Sequence, residues 1–536
     1  MESKIIVRHS SIVVNNYERG DCEKIENILS IWNPVNFTLK PLAYYYDEET
    51  KKLYLPRGID ISYVEKLFEA KAEIDYVCDE YSNTNNPIMI KYMPRDDVQK
   101  EALRFLLGKQ EYTAMNRKSQ QSLNLTTGKG KTYCSIATIA CFSIKSAIIT
   151  YSIHWIEQWK KCFLEYTDLK PKNIKIVNSS SIIKKFLDNP DSANQYDIFL
   201  FTHNTLKSFG DNYGWNKVTE LFKVLKIGLK FYDEAHLNFT NMCMVDFFTN
   251  TYKTYYVSAS PARSDEDEDR IYKLYFKNVP GIELFDEEND PHTSYISMRY
   301  DSQPSPKQKS ECRNKFGLSS AAYSDYVVNQ PNFLKMMDVV LDMCFKVKGK
   351  CLIYMHTNKS IQILYNWILK WYPELQNDVG IYTSLTDGPN KKDNLEKKII
   401  LSTIKSCGAA MDIKGLSMTV IAATPFKSEV IMQQVLGRTR DNNTLCVELI
   451  DVAFSQIVRY YYHKKNIIDK YALDSSDSKF SIYELDYRAT NLEIERYMRS
   501  TQVCNINQQF KPIVSFVPKG QLQRVVTMHR REYIDR

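Results

Sequence analysis

The chain has 536 residues, room for three or four domains, and its 43% hydrophobic and 25% charged content is that of ordinary globular material. A net charge of only +7 is compatible with a polyanionic partner without demanding one. Twelve scattered cysteines with no C-x-x-C pair argue against a structural zinc site and for a reducing compartment; with no apolar run near the ~18 residues of a membrane span and no signal-like start, a cytoplasmic location off the membrane is expected.

Residues 1–88 read as a small α+β module. Strands are expected at Ile5 to Val7 and Ile12 to Val14, and helices at Asp21 to Trp32 and Ser62 to Lys71. Between the helices, P-L-A-Y-Y-Y-D-E-E-T-K-K-L-Y-L-P-R-G reads as a hairpin with its turn at Asp47 to Lys51, and N-T-N-N-P (83–87) as a linker. The texture changes at Met93. An amphipathic helix is expected from Arg95 to Leu107, followed by a short strand at Leu123 to Leu125. Apolar runs at Ala147 to Thr150, Ile198 to Thr202, Gly228 to Tyr232 and Thr254 to Val257 then alternate with helical stretches, which predicts a parallel sheet covered on both faces. Residues 286–310 are polar, contain Pro291, Pro304 and Pro306, and read as a connection.

A second alternating series has strands at Cys351 to Tyr354, Val379 to Tyr382, Ile399 to Ser402, Thr419 to Ala422 and Leu445 to Ile450, and helices that include Lys359 to Trp371 and Ser428 to Leu436. The tail from about 466 is less regular and basic over 501–536. The expected architecture is α/β: two RecA-like parallel-sheet lobes in tandem (89–292 and 293–465), a small α+β N-terminal module (1–88) and a basic C-terminal extension (466–536).

The chemistry is organised around Thr126 to Thr132, T-T-G-K-G-K-T, set between a strand and a helix-like run. Glycines let the main chain approach a phosphate, backbone N–H groups and the helix start supply positive potential, Lys131 can reach terminal phosphates and the Thr132 hydroxyl can ligate magnesium. Leu125 stands where a P-loop has its first glycine, and a turn that merely caps a helix is the plain alternative. Asp233-Glu234-Ala235-His236 ends an apolar strand at the same expected sheet edge. Asp233 can hold magnesium and Glu234 can polarise a water, against the bland reading of a charged turn. Ser258-Ala259-Ser260-Pro261 ends the next strand with hydroxyls able to couple that site to movement. In the second series, Gln434 to Arg440 (Q-V-L-G-R-T-R) offers arginines to a phosphate, and Ser406 to Asp412 offers small residues to nucleic acid and a carboxylate to a ribose.

These elements, in this order over about 93–455, resemble superfamily 2 helicases. Pro94 to Gln99 looks like the Q-motif region, which implies that Gln99 reads the adenine edge. T-G-K-G-K-T looks like motif I, and the resemblance implies ATP contacts by Thr127, Gly128, Lys129, Gly130, Lys131 and Thr132. Ile148 to Trp159 is similar to motif Ia, and F-L-F-T-H-N-T-L to motif Ib, with Thr202 and His203 near the nucleic-acid backbone. D-E-A-H looks like motif II, S-A-S-P like motif III, C-L-I-Y-M-H-T-N-K like motif IV, 400–416 like motif V with Ser406 on nucleic acid and Asp412 on the ribose, and Q-Q-V-L-G-R-T-R like motif VI. Only Thr439 separates the motif VI arginines, where the family usually has two residues, so the transition-state contact belongs to Arg438 or Arg440. Within the superfamily the chain is most similar to phage branch-migration helicases of the UvsW kind, related to the XPB and RecG groups. The resemblance implies ATP and Mg2+ as cofactors, a monomer, and forked or branched duplex DNA as partner. An RNA helicase or transcript-release factor, a restriction motor subunit and a scaffold with a relic ATP site stay open.

Overall fold

The computed structural model describes the chain apart from residues 1–3, 18–22, 34–37, 76, 126–128, 259–265, 285–292, 316, 384, 387, 405, 408–412, 437–443, 474–479, 488–524 and 529–536. It divides into two compact units, residues 1–286 and 287–536.

The first unit begins with a five-stranded sheet in the order Tyr45–Asp47, Lys52–Pro56, Ser11–Asn15, Lys4–Val7, Ala72–Ile74. Ile5, Val7, Ile12, Val14, Leu53 and Leu55 are fully buried, which drives the pairing. The expected turn is held by Asp47, whose Oδ1 accepts from the backbone N–H of Glu49 at 3.1 Å and of Thr50 at 3.3 Å, while Lys51 takes a left-handed φ of 48°. Helix Ile61–Phe68 starts at Asp60, whose carboxylate accepts from the Ser62 N–H at 3.0 Å. The helix expected over 21–32 is shorter, Glu23–Ile28; the chain then forms strand Ser30–Asn33, paired antiparallel with Thr38–Pro41. Ile31 and Trp32 are β-favouring residues side by side, which suits a strand better than a helix end. This small sheet seats directly on the following lobe. A Cβ at Gly58 would lie 1.8 Å from the Leu274 carbonyl oxygen, so a side chain there would push the module off helix Glu266–Phe276. Ser10 Oγ donates to the carbonyls of Asp246 at 2.7 Å and Thr249 at 2.9 Å.

The lobe itself is a seven-stranded sheet in the order Ile174–Val177, Ile198–Thr202, Ser146–Thr150, Leu229–Asp233, Lys253–Ser258, Gln120–Leu125, Gly281–Leu284, with every neighbouring pair parallel. The four central strands are shielded on both faces, as parallel strands covered by helices must be, and their interiors are apolar apart from Lys230 and Thr254. Because all strands run the same way, their C-terminal ends share one edge. The strand leading to the phosphate loop and the strand ending in Asp233 are separated there by one strand, Lys253–Ser258.

The second unit is an eight-stranded sheet in the order Val379–Tyr382, Ile399–Thr403, Lys350–Met355, Leu416–Ala423, Thr444–Asp451, Thr293–Tyr300, Phe480–Tyr487, Val525–Met528. Only the last pair is antiparallel. All five strands expected in this series are present. The connection expected over 286–310 instead contains Thr293–Tyr300, paired in register with Thr444–Asp451 along its whole length. Tyr295, Ile296, Met298 and Tyr300 are buried there, and that burial outweighs the flanking prolines. The tail supplies two further strands, Phe480–Tyr487 and Val525–Met528, where less regular structure was expected. The fold is thus α/β with two RecA-like parallel-sheet lobes and a small N-terminal sheet module. The described cysteines are all free thiols, and no described helix is long and apolar enough to cross a membrane.

Candidate nucleotide site

Strand Gln120–Leu125 delivers the chain to the sheet edge, and helix Lys131–Phe142 leaves it. Gly130 makes the joint at φ +94°, a conformation that only glycine adopts without strain. A Cβ here would also lie 2.2 Å from Gln99 Nε2, so the loop backbone is packed against that side chain. Lys131 and Thr132 occupy the first turn, where helix N–H groups have no intrahelical partner.

Asp233 is the last residue of its strand, and Glu234 takes a left-handed φ of 51°. That reversal sends the two acids different ways. Asp233 Oδ2 accepts from the Trp159 indole N–H at 2.7 Å. Glu234, 4% exposed, places Oε1 at 3.2 Å from Lys131 Nζ and Oε2 at 3.3 Å from His236 Nδ1. The first distance is an ion pair without hydrogen-bond alignment: among the described residues Lys131 Nζ has no hydrogen-bond acceptor. His236 Nδ1 in turn shares a 2.7 Å hydrogen bond with Ser258 Oγ at the end of the neighbouring strand. Burial, with the Glu234 charge beside it, pushes the Asp233 carboxyl up to about 6, against the Trp159 hydrogen bond and the Lys131 charge, which pull it down.

A buried ammonium lacking an aligned acceptor, beside a glycine-cradled helix start, fits a triphosphate. One strand-end carboxylate and one hydroxyl fit a hard cation that takes its remaining ligands from phosphate and water; among the described residues no three His, Cys, Asp or Glu cluster into an all-protein cage.

The other expected site residues fare differently. Gln99 is 4% exposed and its amide is engaged at both ends: Oε1 accepts from the Arg95 N–H at 3.0 Å, and Nε2 donates to the Lys129 carbonyl at 3.1 Å. It lies against the phosphate loop. Lys129, also buried, supplies that carbonyl. Thr202 is the N-cap of helix His203–Tyr213, accepting from the Thr205 N–H at 3.0 Å. His203 is fully buried, its ring stacked on Tyr232 at 5.7 Å. Thr202 keeps 7% of its surface exposed and His203 none. Ser406 sits in a turn closing strand Ile399–Thr403, its N–H donating to the Thr403 hydroxyl at 3.0 Å. Thr127, Gly128, Asp412, Arg438 and Arg440 lie outside the described residues, as does most of S-A-S-P.

The Trp159–Asp233 bond has no counterpart among the sequence expectations, whereas the His236–Ser258 bond ties the acidic strand end to the first hydroxyl of S-A-S-P. The tryptophan follows a glutamine on a helix after an apolar strand, which marks a buried helix face and nothing more; its partner comes from a strand 74 positions further on.

Residues 92–258 match the family model of the Type III restriction enzyme, res subunit. A curated relative, the general transcription and DNA repair factor IIH helicase/translocase subunit XPB of Enterocytozoon bieneusi (strain H348), is 26% identical over 193 residues, 33% of this chain. The match spans 30% of that relative's length. Among solved structures, S. cerevisiae Dbp5 bound to RNA and ADP BeF3 is similar at 15% identity and a TM-score of 0.49, over 75% of this chain and 92% of that one. T4 UvsW is similar at 14% identity and a TM-score of 0.33, over 90% and 99%.

Proposed function

We propose that this chain is an ATP-hydrolysing superfamily 2 helicase or translocase that remodels forked or branched duplex DNA. One observation carries the reading: Lys131, at the start of the helix after the glycine loop, and the Asp233-Glu234 pair reach one sheet edge, with Lys131 Nζ 3.2 Å from Glu234 Oε1. The match of 92–258 to a restriction-enzyme res subunit and the likeness to a DNA-repair helicase/translocase subunit support a DNA motor.

In this reading Lys131, Thr132 and the loop Thr127 to Gly130 bind the triphosphate, and Thr132 and Asp233 hold Mg2+, which neutralises charge on the phosphates when bound. Glu234 turns from Lys131 to the attacking water, with His236 beside its other oxygen. Arg438 or Arg440 stabilises the transition-state charge, Asp412 meets the ribose, and Ser406 touches the nucleic acid. Contacts to the backbone carry no sequence information, so binding is sequence-independent and weakens with salt.

The test is steady-state ATP turnover by the wild type, Lys131→Ala and Glu234→Gln with forked DNA, a four-way junction, linear duplex and RNA. Each variant is expected to lose at least ~10²-fold in stimulated rate, the usual scale for a general base or an electrostatic clamp. Wild-type stimulated turnover in either variant would remove the catalytic assignment. The res-subunit match favours a second reading, a restriction motor, which predicts full stimulation by linear duplex and no gain from a branch.

A further inference from the structure

We infer that Trp159 is a positioning residue for the metal-holding carboxylate, which it locks in one orientation from a helix outside the nucleotide loop. The inference rests on the ATP reading above. Trp159 lies on helix Ile153–Tyr166, and only 3% of its surface is exposed. Ile156 and Phe163, three residues before and four after, are fully buried on the same face, and the Phe163 ring is 6.1 Å from the indole. The tryptophan is therefore seated by packing and has little freedom to follow its acceptor. Its Nε1–H donates to Asp233 Oδ2 at 2.7 Å, a charge-assisted bond of good length.

An indole N–H is a donor only, and the acceptor the fold brings to it is Asp233 Oδ2. The bond fixes the Asp233 torsions with Oδ2 turned to the helix, which leaves Oδ1 for the cation or its water. A phenylalanine in the same seat keeps the apolar contacts and releases the carboxylate, which then loses orientation at no cost to the loop that binds the phosphates. The strand that ends in Asp233 pairs with the strand preceding this helix, Tyr232 beside Ile149, so the two partners are carried by adjacent strands of one sheet.

The effect should be confined to divalent-ion dependence. Fluorescent ADP binding is measured on the full chain in excess EDTA and across a Mn2+ titration. Trp159→Phe is expected to raise the half-saturating Mn2+ concentration about tenfold, the scale of losing a hydrogen bond to a charged group, with EDTA-phase affinity unchanged. Trp159→His, which offers an N–H at a similar reach, should recover much of that shift. In an Asp233→Asn background, Trp159→Phe should add nothing. Wild-type Mn2+ dependence in Trp159→Phe, or an equal loss of affinity in EDTA, would overturn the positioning role, the second outcome marking a merely structural residue. Should Trp159→Phe fold poorly, Trp159→Leu, apolar and without a donor, takes its place in the same comparisons with the same deciding outcomes. Were the wild-type chain to bind no nucleotide with or without Mn2+, the ATP reading would fall and take this one with it.

Discussion

In the core of the first lobe Lys230 and Asp246 meet at 2.6 Å with both side chains fully shielded, and at the sheet edge of the same lobe Lys131 and Glu234 stand 3.2 Å apart, each nearly as deep. The inner pair has its bonding filled. Asp246 also accepts from the hydroxyls of Tyr232 at 2.8 Å, Tyr256 at 2.6 Å and Tyr275, and Lys230 donates to Thr249 Oγ1 at 2.6 Å. The outer pair has a cation without an aligned acceptor and a carboxylate on a left-handed residue. Desolvating an ion is costly wherever it happens, so the difference lies in what repays it. Around Asp246 the protein's own donors do. At Lys131 the repayment is incomplete, which leaves the ammonium able to take a phosphate oxygen. A saturated buried pair is architecture; an unsaturated one at a parallel-sheet edge is a site.

Single removals should separate the two pairs. Lys230→Met leaves a buried carboxylate with its hydroxyls but no counter-charge and is expected to cost about 3–5 kcal/mol in urea unfolding, with nucleotide affinity unchanged in the folded fraction. Lys131→Met should cost less than half as much stability and abolish triphosphate binding. Equal stability losses would erase the contrast. A somewhat smaller effect tests the wall of the inner network, where His203 stacks on Tyr232 with neither ring nitrogen partnered among the described residues. Burial holds this imidazole down at about 4, against a pull upward from Asp246. Its folded value lies below its ordinary one, so the neutral ring contributes full stability above pH 6.5, and that contribution is lost as the pH falls from 6.5 toward 4. The loss should be on the order of 3 kcal/mol at pH 4. His203→Phe keeps the stack and should flatten that part of the profile; an unchanged difference between urea midpoints at pH 7 and pH 4 would show that the ring is not held neutral.

What could be read in advance follows from how local each signal is. The phosphate loop, the acidic strand end and the alternation of strand and helix are written in contiguous residues, and each strand expected in the two lobes appears where its apolar run stands, while Ile174–Val177 and Gly281–Leu284 were not expected. Thr293–Tyr300 was hidden because its strand character depends on two partners over 140 positions away, Thr444–Asp451 and Phe480–Tyr487, while Pro291, Pro304 and Pro306 mark its surroundings as loop. Thr202 and His203 follow their strand as a nucleic-acid contact would, but their burial is decided by a cap to Thr205 and by a ring on another strand. Trp159 carried no signal of its own, since an indole's function is set by which acceptor the fold brings to it.

Gln99 tests the smallest consequence of the same contrast, because it bears on how the open pair is kept in place. Its amide bridges the Arg95 N–H and the Lys129 carbonyl, two residues ahead of Lys131, and its Nε2 fills the space a side chain at Gly130 would occupy. A residue so engaged is expected to act on the loop whatever base the nucleotide carries. Gln99→Ala removes both bonds and the packing against Gly130, and should weaken triphosphate binding by about 1–2 kcal/mol, the range for losing buried hydrogen bonds while water can replace them in part. The ATP-to-GTP affinity ratio, measured by competition against a fluorescent nucleotide, is the discriminating quantity. An unchanged ratio with both affinities lowered places Gln99 among the supports of Lys131. A ratio that collapses while GTP affinity holds would mean that the amide leaves the loop to meet adenine, and the phosphate loop would then need no glutamine to hold its lysine ready.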